Sequence, residues 1–198
     1  ENSESAFAEM PAPPPADKSW SRVYRSGVVW HLSLIYFAFG FSYIIFVTFF
    51  AKYLESEVGY TKEAAGGYWQ VVGWASLLCG IIWGAASDRI GRRFALALVF
   101  GLQALAYLIF ASWTTPAGIW AAVLLFGFTA WSIPAIIASA CGDHLGHRMA
   151  SAALGFITFF LGIGQALGPW SAGAMADLAH SFRPALLLAC GVALLGMV

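Results

Sequence analysis

One short charged turn limits what this chain can fold into more than any other feature. Asp88-Arg89-Ile90-Gly91-Arg92-Arg93 stands between two long stretches, residues 64–87 and 94–113, that contain no Asp, Glu, Lys or Arg. As helices rising about 1.5 Å per residue, each is long enough to cross about 30 Å of hydrocarbon. A tight polar turn joining two such stretches predicts a helical hairpin through a bilayer. Lipid offers no partners to backbone N–H and C=O groups, so an internally bonded helix is the natural solution.

Composition supports a lipid setting. Sixty per cent of residues are hydrophobic and 10% are charged, against about 25% charged in soluble domains. Too few polar side chains remain to cover a water-facing surface. Nine Trp, 16 Phe and 7 Tyr suit lipid contact and interfacial belts. The charges sum to zero, and no strongly basic surface invites nucleic acid. Cys79, Cys141 and Cys190 are far apart and within or at the ends of apolar runs, so they predict small buried thiols and neither disulfides nor a metal site.

Residues 1–26, with Pro11-Ala12-Pro13-Pro14-Pro15, are expected to form a linker. They lack the apolar core of a signal peptide. The first residue is Glu, which suggests a start inside a longer product or after processing. Six apolar runs follow, at 27–51, 64–87, 94–113, 116–142, 149–176 and 184–198. Thr61 is a predicted N-cap for the second, and Pro116 a favourable first helical residue for the fourth. The sixth run would span only roughly 22 Å as helix, an unfinished final crossing.

Lys and Arg placement orients the expected crossings. With the leader inside, Lys18, Arg22, Arg25, Arg89, Arg92, Arg93 and Arg148 share the cytoplasmic side, while Lys52, Lys62 and Arg183 lie outside. That asymmetry satisfies the positive-inside rule and leaves both termini cytoplasmic.

Positive-inside accounts for the arginines of the turn but not for Asp88, Gly84 or Gly91. The full string, Gly84-Ala-Ala-Ser-Asp88-Arg89-Ile-Gly91-Arg92-Arg93, resembles the Gly-x-x-x-Asp-Arg-x-Gly-Arg-Arg/Lys signature of the major facilitator superfamily. There it occupies the cytoplasmic loop between the second and third helices of a six-helix half, the loop it occupies here. A second likeness is Gly164-Gln-Ala-Leu-Gly168-Pro169, followed by Gly173, on the predicted fifth helix. Small residues four apart let helix backbones approach closely, and Pro169 permits a bend. Tyr36-Phe-Ala-Phe-Gly40-Phe-Ser-Tyr43 and Gly173-Ala-Met-Ala-Asp177 resemble the C-terminal half of the YbfB/YjiJ-like branch.

The resemblance, from Gly27 to the end, implies an all-α polytopic bundle: six transmembrane helices in two inverted three-helix repeats. It implies that residues 1–26 are the central cytoplasmic loop and 27–198 the half-domain. A full transporter of that superfamily has twelve helices, so a second six-helix half is expected, in the same protein or a partner chain. The function implied is secondary, alternating-access transport of a small solute, in the bacterial inner membrane. Within the elbow (Gly84, Asp88, Arg89, Gly91, Arg92, Arg93), the resemblance implies that Asp88 faces a helix of the opposite half. It also implies that Arg89 or Arg92 pairs with Asp143 near the inner end of the fourth helix. Such contacts gate by favouring one state through their differential strength.

The resemblance implies that the solute contacts the first and fourth helices. Ser33, Tyr36, Gly40 and Tyr43 fall three, four and three apart and share one helical face. Either they line a water-filled cavity, or the tyrosines hydrogen-bond neighbouring helices. Thr129, Trp131 and Ser132 cluster near mid-span beside Pro134, which either breaks the helix or merely kinks it. Gln165 and Gln70 could reach the cavity rim or the seam, whereas Gln103 is expected to bond within its own half.

No charged residue lies deep inside an apolar run, although intramembrane charges are the usual mark of proton relays and ionic substrates. His31 is either a proton carrier or an interfacial histidine. If protons drive transport, the coupling acid is expected in the other half. Cys141, Asp143, His144 and His147 include metal-ligand types but occupy a predicted cytoplasmic turn, so no metal is expected there. No nucleophile elbow, Walker loop or His-Glu-x-x-His helix suggests an enzyme or a cofactor. The competing reading is a non-transporting membrane interaction or scaffold half-domain.

Overall fold

The computed structural model describes residues 24–197, and these form seven α-helices. The expected linker lies almost wholly outside the described residues, as does Val198. Helix α1 (Gly27–Tyr53) runs into a π-helical turn, Leu54–Val58, ended by Gly59 at φ 85°. Then come α2 (Lys62–Ser76), α3 (Cys79–Ile90), α4 (Arg92–Ser112) and α5 (Pro116–Thr129). Helix α6 (Ser132–Ala179) is two arms joined at Gly146, whose φ of 71° is open to glycine. Helix α7 is Arg183–Leu195.

The caps follow the sequence. Thr61 accepts from Ala64 N–H at 3.3 Å, and Pro116 opens α5 behind Thr115, which accepts from Gly118 N–H at 3.4 Å. Three apolar runs differ from expectation. The second is split into α2 and α3, which meet at 43°. The fourth is split between α5 and the first arm of α6. The sixth gives a helix of 13 residues, about 20 Å long. Four helices are long and apolar enough to cross a membrane, or five if the bent α2–α3 pair is one span. Six full crossings are therefore not present among the described residues, because α7 is too short to span.

Aromatic rings fill the centre. Phe46 of α1 lies 4.3 Å from Phe126 of α5, 5.2 Å from Tyr107 and 5.0 Å from Phe110 of α4, by ring centroid. Helix contacts follow a pattern. Helix α1 packs on α7 and the second arm of α6, whereas α5 packs on α4 and α2; α4 also packs on α7. Glycines mark the closest seams. A Cβ on Gly40 would stand 2.5 Å from Leu161 O, one on Gly164 would stand 2.4 Å from Phe37 O, and one on Gly168 would stand 2.7 Å from Phe41 O. Gly127 meets Ala75 of α2 in the same way, at 2.7 Å. All three cysteines are buried and free.

Candidate functional site

The elbow is built around Arg92. Gly91 takes φ 90° between α3 and α4, a left-handed turn that a side chain would strain. The turn sets Arg92 at the start of α4, beside the end of α3 and the first arm of α6. Its Nε donates to Asp143 Oδ2 at 2.9 Å, and its Nη2 forms an ion pair with Asp88 one turn back. Nη1 donates to Ser87 Oγ and, at 3.5 Å, to the Gly84 carbonyl. Ser87 Oγ in turn donates to Gly84 O at 2.7 Å.

From α4, one guanidinium thus joins two carboxylates, a hydroxyl and a carbonyl of two other helices, a use of Arg's five-donor fork that Lys could not reproduce. Of the two arginines offered for Asp143, Arg92 is the one engaged. Arg89 and Arg93 are exposed. Asp88 is 60% exposed at its side chain and Asp143 54%, against 19% for Arg92. The acids stay half open to water while the base is enclosed. Ser87, buried and bonded on both sides, is a member of the cluster that the motif alone did not single out. Its signal was present: a hydroxyl one residue before the acid, one turn after Gly84.

The second cluster lies where the fourth span breaks, near the middle of Pro116–Gly146. Pro134 has no N–H to give to Ala130 O, and Trp131 takes φ −109°, ψ 15°. Side chains of other helices engage the backbone groups around the break. Gln103 Nε2 donates to Thr129 O at 3.1 Å, and Trp83 Nε1 donates to Phe128 O at 3.0 Å. Trp131 N–H donates to Cys79 Sγ at 3.3 Å. Cys79 begins α3, so the breaks of the second and fourth spans lie side by side. Gln103 bonds within its own bundle, as expected.

The stripe on α1 is packed rather than open. Ser33 is fully buried and donates to Val29 O at 2.8 Å; Tyr36 and Tyr43 are buried, and Gly40 is pressed against Leu161. Thr129 is buried with its hydroxyl on Leu125 O, and Ser132 is buried with no partner for Oγ among the described residues. Ser33, Gly40, Thr129 and Ser132 therefore do not face open space in this bundle. That face packs against neighbouring helices. Trp131 is 50% exposed, with its ring 5.4 Å from Tyr43, and Gln165 is half-buried. Gly164 and Gly168 are seam residues against α1, Pro169 sits inside α6 without ending it, and Gly173 touches no other helix closely. Gln70 and His31 are exposed. At the elbow end, His31 lines a cleft with Arg92, Arg93 and His144, between the starts of α1 and α4 and the end of α6's first arm.

Long, almost uncharged helices closed by a polar elbow define a polytopic integral membrane protein. The chain belongs to the family described as uncharacterised MFS-type transporter YbfB, which matches residues 6–198. Comparison with curated proteins gives no match. Membership suggests membrane transport, and the superfamily consists usually of transporters rather than enzymes.

Proposed function

We propose that this chain is one six-helix half, the C-terminal one, of a secondary transporter that moves a small solute by alternating access. Residues 27–198 form that half and residues 1–26 the loop leading into it. The observation that carries the reading is the Arg92 hub. A half-buried cation there ties two half-exposed carboxylates at the turn of a membrane hairpin. Exposed ion pairs contribute about 1 kcal/mol at most, enough to bias an equilibrium and too little to lock one. The exposed side of Asp88 is free to meet the start of a helix in the other half, where a carboxylate contributes about 0.3–1 kcal/mol.

Two inverted repeats are supported by the packing. Numbering the runs one to six, run one packs on five and six, and run four packs on two and three. Exchanging each run with the one three places along reproduces the set. Gly40 against run five and Gly127 against run two are corresponding contacts. The solute path runs past Trp131 and Gln165. The elbow faces the cytoplasm in a bacterial inner membrane, and a proton-coupling acid, where one is used, belongs to the other half.

Reconstitution of the full-length protein with a solute found by uptake screening tests this. Asp88→Asn should impair uptake with little loss of protein, and unchanged uptake removes the latch. Exchanging the charges of Arg92 and Asp143 together should restore more uptake than either single reversal; failure of that rescue removes the pair. One observation favours the scaffold reading: Ser33, Tyr36 and Tyr43 are buried, as in a bundle that encloses no path.

A further inference from the structure

We propose that Glu57 is a second latch, at the end of the bundle remote from the elbow, and the structural counterpart of the Arg92–Asp143 pair. The π-helical turn Leu54–Val58, closed by Tyr60 N–H on Leu54 O at 2.9 Å, widens the end of the first span and carries Glu57 over the start of α7. There its carboxylate accepts Ser181 Oγ at 2.7 Å and the Phe182 backbone N–H. Phe182 stacks on Phe49 of α1 at 5.0 Å, and the Lys52 ammonium lies 5.2 Å from the same ring. One carboxylate and one aromatic seat therefore fasten the end of α1 to the head of α7.

The elbow has the same plan. Asp143, at the end of the fourth run, accepts from Arg92 at the head of the third. Exchanging each run with the one three places along turns fourth-to-third into first-to-sixth, and so maps Asp143–Arg92 onto Glu57–Ser181/Phe182. An inverted relation puts the two at opposite membrane faces. In each, an acid at the end of one span grips the head of another helix. Two such ties on opposite faces oppose each other if the spans they hold part at one face as they close at the other. The elbow tie favours closure at the elbow face, and the Glu57 tie favours closure at the far face.

This rests on the alternating-access reading, and the test separates the two. In full-length protein in vesicles, Trp131→Cys is labelled by a membrane-impermeant maleimide added from the elbow side or the far side, with wild-type Trp131 as control for the buried native cysteines. Asp143→Asn should raise elbow-side labelling. Glu57→Gln should raise far-side labelling, moving the ratio the opposite way by about 2- to 5-fold, the range open to an exposed carboxylate at a helix start. Ser181→Ala, which removes one donor and leaves the carboxylate, should move it less in that same direction. If Asp143→Asn acts and Glu57→Gln leaves the ratio unchanged, or both shift it alike, the second latch is overturned and the transport reading stands. If the reporter is labelled from neither side in any variant, both are overturned.

Discussion

The first span and the second arm of α6 are nearly equal in length and both apolar, yet the bundle treats them differently. In Gly27–Val58, 61% of the most apolar window is buried inside the bundle; in Met149–Ala179 the share is 17%. They touch through Gly40, Gly164 and Gly168, so the difference is not distance from the core. Helix α1 is surrounded by α5, α6 and α7, whereas the arm of α6 offers Phe159, Trp170 and Leu178 outward, Trp170 at 74% exposure. A helix apolar all round is buried or lies in lipid. The first takes its apolar partners from its own chain, and the second leaves most of its apolar surface uncovered among the described residues.

Substitutions can break that contrast. The largest effect is expected from Phe46→Ala on the surrounded helix. Phe46 is fully buried among four rings, and its loss opens a cavity costing about 3–5 kcal/mol, read by unfolding in detergent. Gly164→Leu, at the seam between the two helices, should cost about 1–3 kcal/mol by overpacking, since even a Cβ there stands 2.4 Å from a carbonyl oxygen. It should also separate α1 from α6, which a cysteine cross-link across the seam would report. Trp170→Ala should change the stability of this bundle by less than about 0.5 kcal/mol. A large loss would mean that the outward face is already covered by protein. Asp143→Asn should alter stability by under about 1 kcal/mol, while shifting labelling at the elbow face.

Much of this was legible in the chain, and the gaps have physical causes. Charge-free runs and the caps at Thr61 and Pro116 revealed the helices, because lipid leaves few alternatives. The resemblance carried by the elbow motif implied a pairing of Asp143 with Arg89 or Arg92, and only the packing of α4 beside α6 singles out Arg92. Periodicity put Ser33, Tyr36, Gly40 and Tyr43 on one face but could not say which way that face turned, since the opposite face is equally apolar. The break at Leu77–Leu78 carries no proline, and its partner is the neighbouring break at Trp131 (a tertiary match with no local signature). Glu57 was hidden for a related reason. A π-helical turn changes the register of the residues it carries, so 3.6-residue spacing does not bring Glu57 to Phe182.

The central claim is that water reaches the middle of the bundle from each face in turn. Labelling Trp131→Cys in the full-length protein, with a maleimide that cannot cross lipid, tests it without knowledge of the solute. The account predicts modification from both sides of a sealed vesicle, with each side's rate changed by mutation at the elbow. Modification from neither side, in folded protein, would contradict it and leave a bundle that packs and moves nothing.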